Sequence, residues 1–152
     1  VTVPARGLLV FSVALAAATT VGVLWLRRGW AVITVEGPSM EPTFHQGDRV
    51  AVRRTPWFAA SSGDVVVIER PEDYRTQRKR AGRIHDGRGW MIKRVGAVAG
   101  EPVPDGIPVP DAVVPEGKLV LLGDNADASF DSRVVGYFPA DLLLGGVVRC
   151  MR

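Results

Sequence analysis

Twenty consecutive residues without a charge, 7–26, constrain this chain more than any other feature of its sequence. A helix rises 1.5 Å per residue, so a run of that length spans about 30 Å, the thickness of a bilayer's hydrocarbon core. We read it as a membrane span at about 7–26, with Trp25 near one interface and Arg27 and Arg28 just beyond it. The competing reading is a cleaved secretory signal, with Arg6 in its basic region and Ala16, Ala17 and Ala18 as small residues for processing. Against it, the apolar run continues through Val23, Leu24, Trp25 and Leu26. Arg6 on one side and two arginines on the other do not set an orientation by charge.

After Arg28 the pattern changes. Short runs rich in Val and Ile, at 30–35, 49–53, 64–69, 90–98, 118–122 and 143–148, alternate with Gly, Pro and Asp. No segment there keeps an apolar 3.6 period for three turns, so 29–152 is expected to be mainly β, a curled, barrel-like antiparallel arrangement, with helix confined to the anchor. Five prolines between 102 and 115 mark a stiff, non-helical connection. Residues 70–88 carry seven basic side chains against three acidic ones and read as a long solvated loop, with lipid headgroups as the alternative contact.

Composition removes several function classes. Lys and Arg number 19 against 16 Asp and Glu, a net +3 that is too small to argue for nucleic acid, which requires several phosphates neutralised together. A single cysteine, Cys150, allows no internal disulfide, and with only His45 and His85 it gives no metal-ligand spacing. No metal and no cofactor is therefore expected.

Three segments can carry chemistry. At 35–44 an expected strand runs into a turn in which Gly37, Pro38 and Pro42 restrict the backbone around Ser39. A serine in such a turn needs a base before it is a nucleophile, and that base is usually histidine or, in some hydrolases, lysine. His45 and His85 both sit in polar, turn-rich surroundings and read as surface residues. Of the three lysines, Lys79, Lys93 and Lys118, only Lys93 has an apolar setting. Period-two alternation puts it on the face of Met91 and Val95, with Arg94 and Ile92 on the other. Burial can lower an amine's pKa by the roughly 3 units that base catalysis near neutrality requires, although a lysine whose stem packs while its head reaches water fits the same pattern. The third segment, 121–133, leaves a strand into a loop of short hydrogen-bonding side chains, in which Asp131 and Arg133 can form a charge-assisted pair.

In this order the segments resemble the type I signal peptidase family, membrane-bound Ser/Lys endopeptidases. The resemblance covers about 33–148 and rests on GPSMEPT followed by Gly47-Asp48, on Gly63-Asp64-Val65-Val66, on Lys93-Arg94-Val95 with Gly100-Glu101 downstream, and on GDNADASFDSR leading to Val134-Val135-Gly136. By position, Ser39 resembles the nucleophile and Lys93 the general base. Ser129 resembles the hydroxyl that orients the lysine, while Asp131, Arg133 and Asp124 resemble supporting residues. The resemblance places substrate pockets at Ile33, Val35, Met40, Phe44, Val50 and Ile92. The chain departs from the family pattern at Gly37, where some members have a serine that helps bind the oxyanion, at Glu101 in place of Asp, and at Ala126 in place of Arg. The short stretch between Gly100 and Val120 resembles the compact branch.

The resemblance implies an endopeptidase that removes N-terminal signal peptides from exported preproteins through an acyl-enzyme, with small residues before the cut. It also implies a single-pass protein of the bacterial cytoplasmic membrane, in contact with lipid and with its catalytic domain, 29–152, on the outer face. Two alternatives remain, a processing peptidase dedicated to one precursor and an inactive membrane-anchored β module that binds exported peptides. A Ser/Lys self-cleaving repressor fits less well, because there is no DNA-binding helical domain.

Overall fold

The computed structural model describes residues 29–71 and 89–151, together with 15, 17, 19, 20 and 22. Most of the expected span at 7–26 and of the basic loop at 70–88 lies outside the described residues. The five described residues of the span are helical, and the Thr19 hydroxyl donates to the Leu15 carbonyl at 3.0 Å. Among the described residues no helix is long and apolar enough to cross a membrane.

Among the described residues seven strands form one antiparallel sheet: β1 (Trp30–Thr34), β2 (Arg49–Arg53), β3 (Val65–Glu69), β4 (Trp90–Ala97), β5 (Lys118–Leu122), β6 (Phe138–Pro139) and β7 (Leu143–Met151). Their order across the sheet is β1-β2-β7-β3-β4-β5-β6, so the last strand returns to the middle, between β2 and β3. Register shifts between Ala51 and Val52, between Val67 and Ile68, and between Val95 and Ala97 put extra residues into the ladders. Such bulges increase local twist and bend strands, which curls the sheet as the sequence predicted. At the β2–β7 crossing Gly145 lies against the carbonyl of Arg53 so closely that a Cβ would collide with it.

Strand sequence explains which faces are covered. In β2 the series Arg-Val-Ala-Val-Arg buries Val50 and Val52 and leaves both arginines in water, the alternation of a strand covered on one side. In β3 and β4 consecutive residues are buried. Val66, Ile68, Met91 and Val95 enter one apolar cluster with Leu119, Leu121 and Phe138, while Val67 and Ile92 enter a second with Val35, Met40, Phe44, Val50 and Val52. The unbroken apolar run of β3 thus reflects a strand packed on both faces. Each fully buried side chain of this kind contributes about 1.5–3 kcal/mol. A third, smaller cluster of Ala97, Ile107, Val114 and Val120 lies under the proline-rich connection.

Helix is not confined to the anchor region, contrary to expectation. Ser132–Val135 forms one α-helical turn, and Trp57–Ala59, Ala126–Ala128 and Ala140–Leu142 are 3-10 turns. The α-turn is capped by Asp131, whose side chain accepts from the Arg133 N–H, and it ends at Gly136 with φ +77°. One turn is too short to generate a periodic apolar face, so only its caps were visible in the sequence. β6, two residues long, carried no strand pattern for the same reason.

Candidate active site

The turn at 36–48 is closed at its base by two backbone bonds, Val35 N–H to the Asp48 carbonyl at 2.8 Å and Gly47 N–H to the Val35 carbonyl at 2.9 Å. Met40 and Phe44 sit four residues apart and are both buried in the second cluster, which pins the turn to the sheet. Gly37 has φ +79°, a conformation that L side chains rarely adopt, so a glycine suits this corner. Ser39, half-buried, is held at the turn's tip by its carbonyl, which accepts from the Asn125 N–H at 3.1 Å.

Lys93 is 3% exposed, with Met91 and Val95 on its face of β4 and Val66 opposite it on β3. Its ammonium or amine nitrogen donates to the Ser129 hydroxyl at 3.1 Å. Ser129 in turn hydrogen-bonds the Asp131 carboxylate, so its single proton goes to Asp131 and its oxygen accepts from Lys93. Asp131 is fully buried. It accepts from the Gly123 N–H at 2.8 Å, and from the Arg133 backbone N–H at 3.1 Å, Nε at 3.0 Å and Nη2 at 2.5 Å. Burial pushes this carboxyl up, but the bonds from Arg133, Ser129 and the two backbone N–H groups outweigh it and bring the pKa to about 2. The Asp131–Arg133 pair read from the sequence is thus present, and Arg133 Nη2 also reaches the Gly123 carbonyl at 3.0 Å.

Gly123 is where these segments meet. A Cβ at this position would run into the Ser129 hydroxyl, and would lie 2.5 Å from the Ser129 Cβ and 2.6 Å from the Ser39 carbonyl oxygen. The absence of a side chain lets the Ser39 turn and Ser129 share one small space at the exit of β5. Ser132, also fully buried, braces that exit by accepting from the Leu121 N–H at 2.8 Å.

Asp124 forms a second ion pair, with the residue after Lys93. Arg94 donates from Nε at 2.8 Å and from Nη2 at 2.7 Å, a two-pronged contact, and from Nη1 to the Gly63 carbonyl at 2.9 Å. The Thr43 hydroxyl donates to the same carboxylate at 2.5 Å. The Arg94 contact holds the Asp124 carboxyl below the usual range against the opposing effect of burial, with the Thr43 hydrogen bond adding to it. Arg94, Thr43, Gly123 and Ser132 were not singled out from the sequence. Their partners lie up to 81 residues away, and no local pattern marks such a pairing.

All six positions expected to line substrate pockets belong to the second cluster. Val35, Met40, Phe44, Val50 and Ile92 are buried and Ile33 is partly buried against them. His45 is exposed, as expected, and its backbone N–H rests on Asp48 at 3.0 Å.

Comparison with known proteins agrees with this architecture. Residues 6–104 and 106–151 match the family described as signal peptidase, peptidase S26. The chain is 30% identical to a probable signal peptidase I-1 of Synechocystis sp., over 73% of this chain and 65% of that protein. It is 29% identical to the mitochondrial inner membrane protease subunit 1 of Mus musculus, over 76% and 66%, and 28% identical to signal peptidase IB of Staphylococcus aureus, over 75% and 73%. It thus spans just under two thirds of the length of the first two relatives. A match over nearly every residue from 6 to 151 places the chain in the signal peptidase family, peptidase S26.

Proposed function

We propose that this chain is a serine endopeptidase that removes N-terminal signal peptides from exported preproteins, with Ser39 as nucleophile and Lys93 as general base. The observation that carries the reading is the buried Lys93 nitrogen, 3.1 Å from Ser129 in the small space that Ser39 also borders at Gly123. An ordinary lysine, with pKa about 10.4, is protonated at neutral pH and cannot accept a proton. Burial disfavours the charged form. Asp131 and Asp124 each hold an arginine, Arg133 and Arg94, whose charges offset the pull of the two carboxylates on an ammonium.

In this reading Ser39 Oγ bonds to the scissile carbonyl carbon while its proton passes to Lys93 Nζ. The same proton then goes to the departing amine as the C–N bond breaks, leaving an ester on Ser39. Water attacks the ester and gives its proton to the neutral amine; the Ser39 Oγ–acyl bond then breaks, the lysine returns that proton to Ser39 Oγ, and the signal peptide leaves with its new carboxyl end. Ser129, by accepting from the lysine, turns the nitrogen's remaining valences towards the nucleophile. With Gly37 offering no hydroxyl, the Ser39 backbone N–H is the donor for the oxyanion, a contact typically worth about 3 kcal/mol.

Strand pairing supports an extended substrate. β4 pairs with β3 from Trp90 to Arg94, but with β5 only from Arg94 onwards. Among the described residues no strand pairs with 90–93 on the β5 side, which suits a peptide strand running past Lys93. Val35, Met40, Phe44, Val50 and Ile92 are already packed against one another beneath it, which suits small substrate residues of the Ala-x-Ala kind. The span at 7–26 would tether the site to the outer face of the bacterial cytoplasmic membrane, where the substrate's own apolar segment delivers the bond and raises its effective concentration.

Ser39→Ala and Lys93→Ala, each assayed on a preprotein with an Ala-x-Ala site, test the proposal. Loss of cleavage in both with binding retained is expected. Unchanged processing in either contradicts it, and binding without cleavage by the unaltered chain would favour a peptide-binding module.

A further inference from the structure

We propose that the Thr43 hydroxyl is a positioning group for the Ser39–Lys93 pair, fastening the nucleophile's turn to the Asp124 carboxylate that Arg94 grips from β4. The inference rests on the Ser/Lys reading above and adds to it a residue that acts at a distance from the reacting atoms.

The turn's root is secured by backbone bonds and by Met40 and Phe44 in the core, but its tip must be set against a different part of the sheet. Two contacts cross that gap. The Ser39 carbonyl accepts from the Asn125 N–H at 3.1 Å, and Thr43 Oγ1 donates to Asp124 Oδ2 at 2.5 Å. Asp124 is a firm anchor, because Arg94 binds it through two nitrogens and is itself tied to the Gly63 carbonyl. Arg94 is joined by one peptide bond to Lys93. A short path therefore runs from the nucleophile to the base: four residues along the turn, one hydrogen bond, one two-pronged ion pair and one peptide unit.

A hydroxyl donating to an ionised carboxylate makes a short, strong hydrogen bond with defined direction, which suits it to set spacing. Thr43 is exposed, so removing its hydroxyl opens no cavity and leaves the core untouched. Misplacing reacting groups by about 1 Å can cost about 100-fold in rate. Losing this tether should therefore lower turnover while substrate binding persists.

The test uses the full chain in detergent micelles and a preprotein with an Ala-x-Ala site, with Ser39→Ala as control. Thr43→Val, of the same shape without the hydroxyl, is expected to lower kcat by about 10-fold or more with KM within about twofold and the melting temperature unchanged. Thr43→Ser is expected to recover most of that loss. The proposal is overturned if Thr43→Val keeps kcat, if KM rises instead, if Thr43→Ser is as impaired as Thr43→Val, or if the loss follows a lowered melting temperature. Turnover by Ser39→Ala would remove the Ser/Lys reading itself. An inactive Ser39→Ala beside a fully active Thr43→Val would overturn the positioning role alone.

Discussion

Gly123 shows how much of this site depends on what a residue lacks. Adding one methyl there forces Ser129 and the Ser39 carbonyl apart. Gly123→Ala is expected to lower kcat by about 100-fold, with destabilisation of about 1–3 kcal/mol from overpacking, measured by preprotein cleavage and thermal melting. Asp131 gives a second prediction. Its carboxyl titrates at about 2 in the folded chain against 3.8 for the ordinary group, so its contribution is complete above about pH 4 and is lost as pH falls through 2. That contribution is about 2 kcal/mol, and Asp131→Asn should remove it: variant and parent differ most at neutral pH and converge towards pH 2 in denaturant titrations. At this scale the sequence was partly legible. Lys93 stands out as the one lysine in an apolar run, and Asp131 and Arg133 are close enough in sequence for their pairing to be guessed. Thr43 and Arg94 were not legible, because both meet Asp124 only after the sheet has formed.

Within β4, alternation separates two neighbouring basic residues. Lys93 faces Met91, Val95 and Ser129, whereas Arg94 turns to Asp124 and the Gly63 carbonyl. On the Ser/Lys reading the Arg94 charge also protects the base, since an unmatched Asp124 would favour the lysine's protonated form. Arg94→Gln should therefore move the acid limb of the kcat/KM profile to higher pH. A limb that stays in place, or moves to lower pH, would show that Asp124 does not influence the base. The strands themselves were legible wherever a run reached five residues. β2 and β5 begin and end where expected, and β7 extends to Met151, three residues beyond the expected end. The one-turn helix after Asp131 and the two-residue β6 were not legible, because neither is long enough to show a period.

At the scale of the molecule, the sheet buries β3 and β4 on both faces, and that is what removes Lys93 from water. The apolar run before β1 and the curled sheet after it are the two features that composition and periodicity could reach. The convergence of three distant segments on Gly123 needed the fold. The account's central claim is that this burial leaves the Lys93 amine uncharged near neutral pH, beside Ser39. Only three lysines are present, so Lys79→Arg and Lys118→Arg leave Lys93 as the sole lysine side chain for nitrogen-15 labelling. A pH titration of its Nζ resonance in the full, folded chain should show it losing its proton well below the pH at which an exposed lysine does. A nitrogen that stays protonated up to pH 10 would contradict the account.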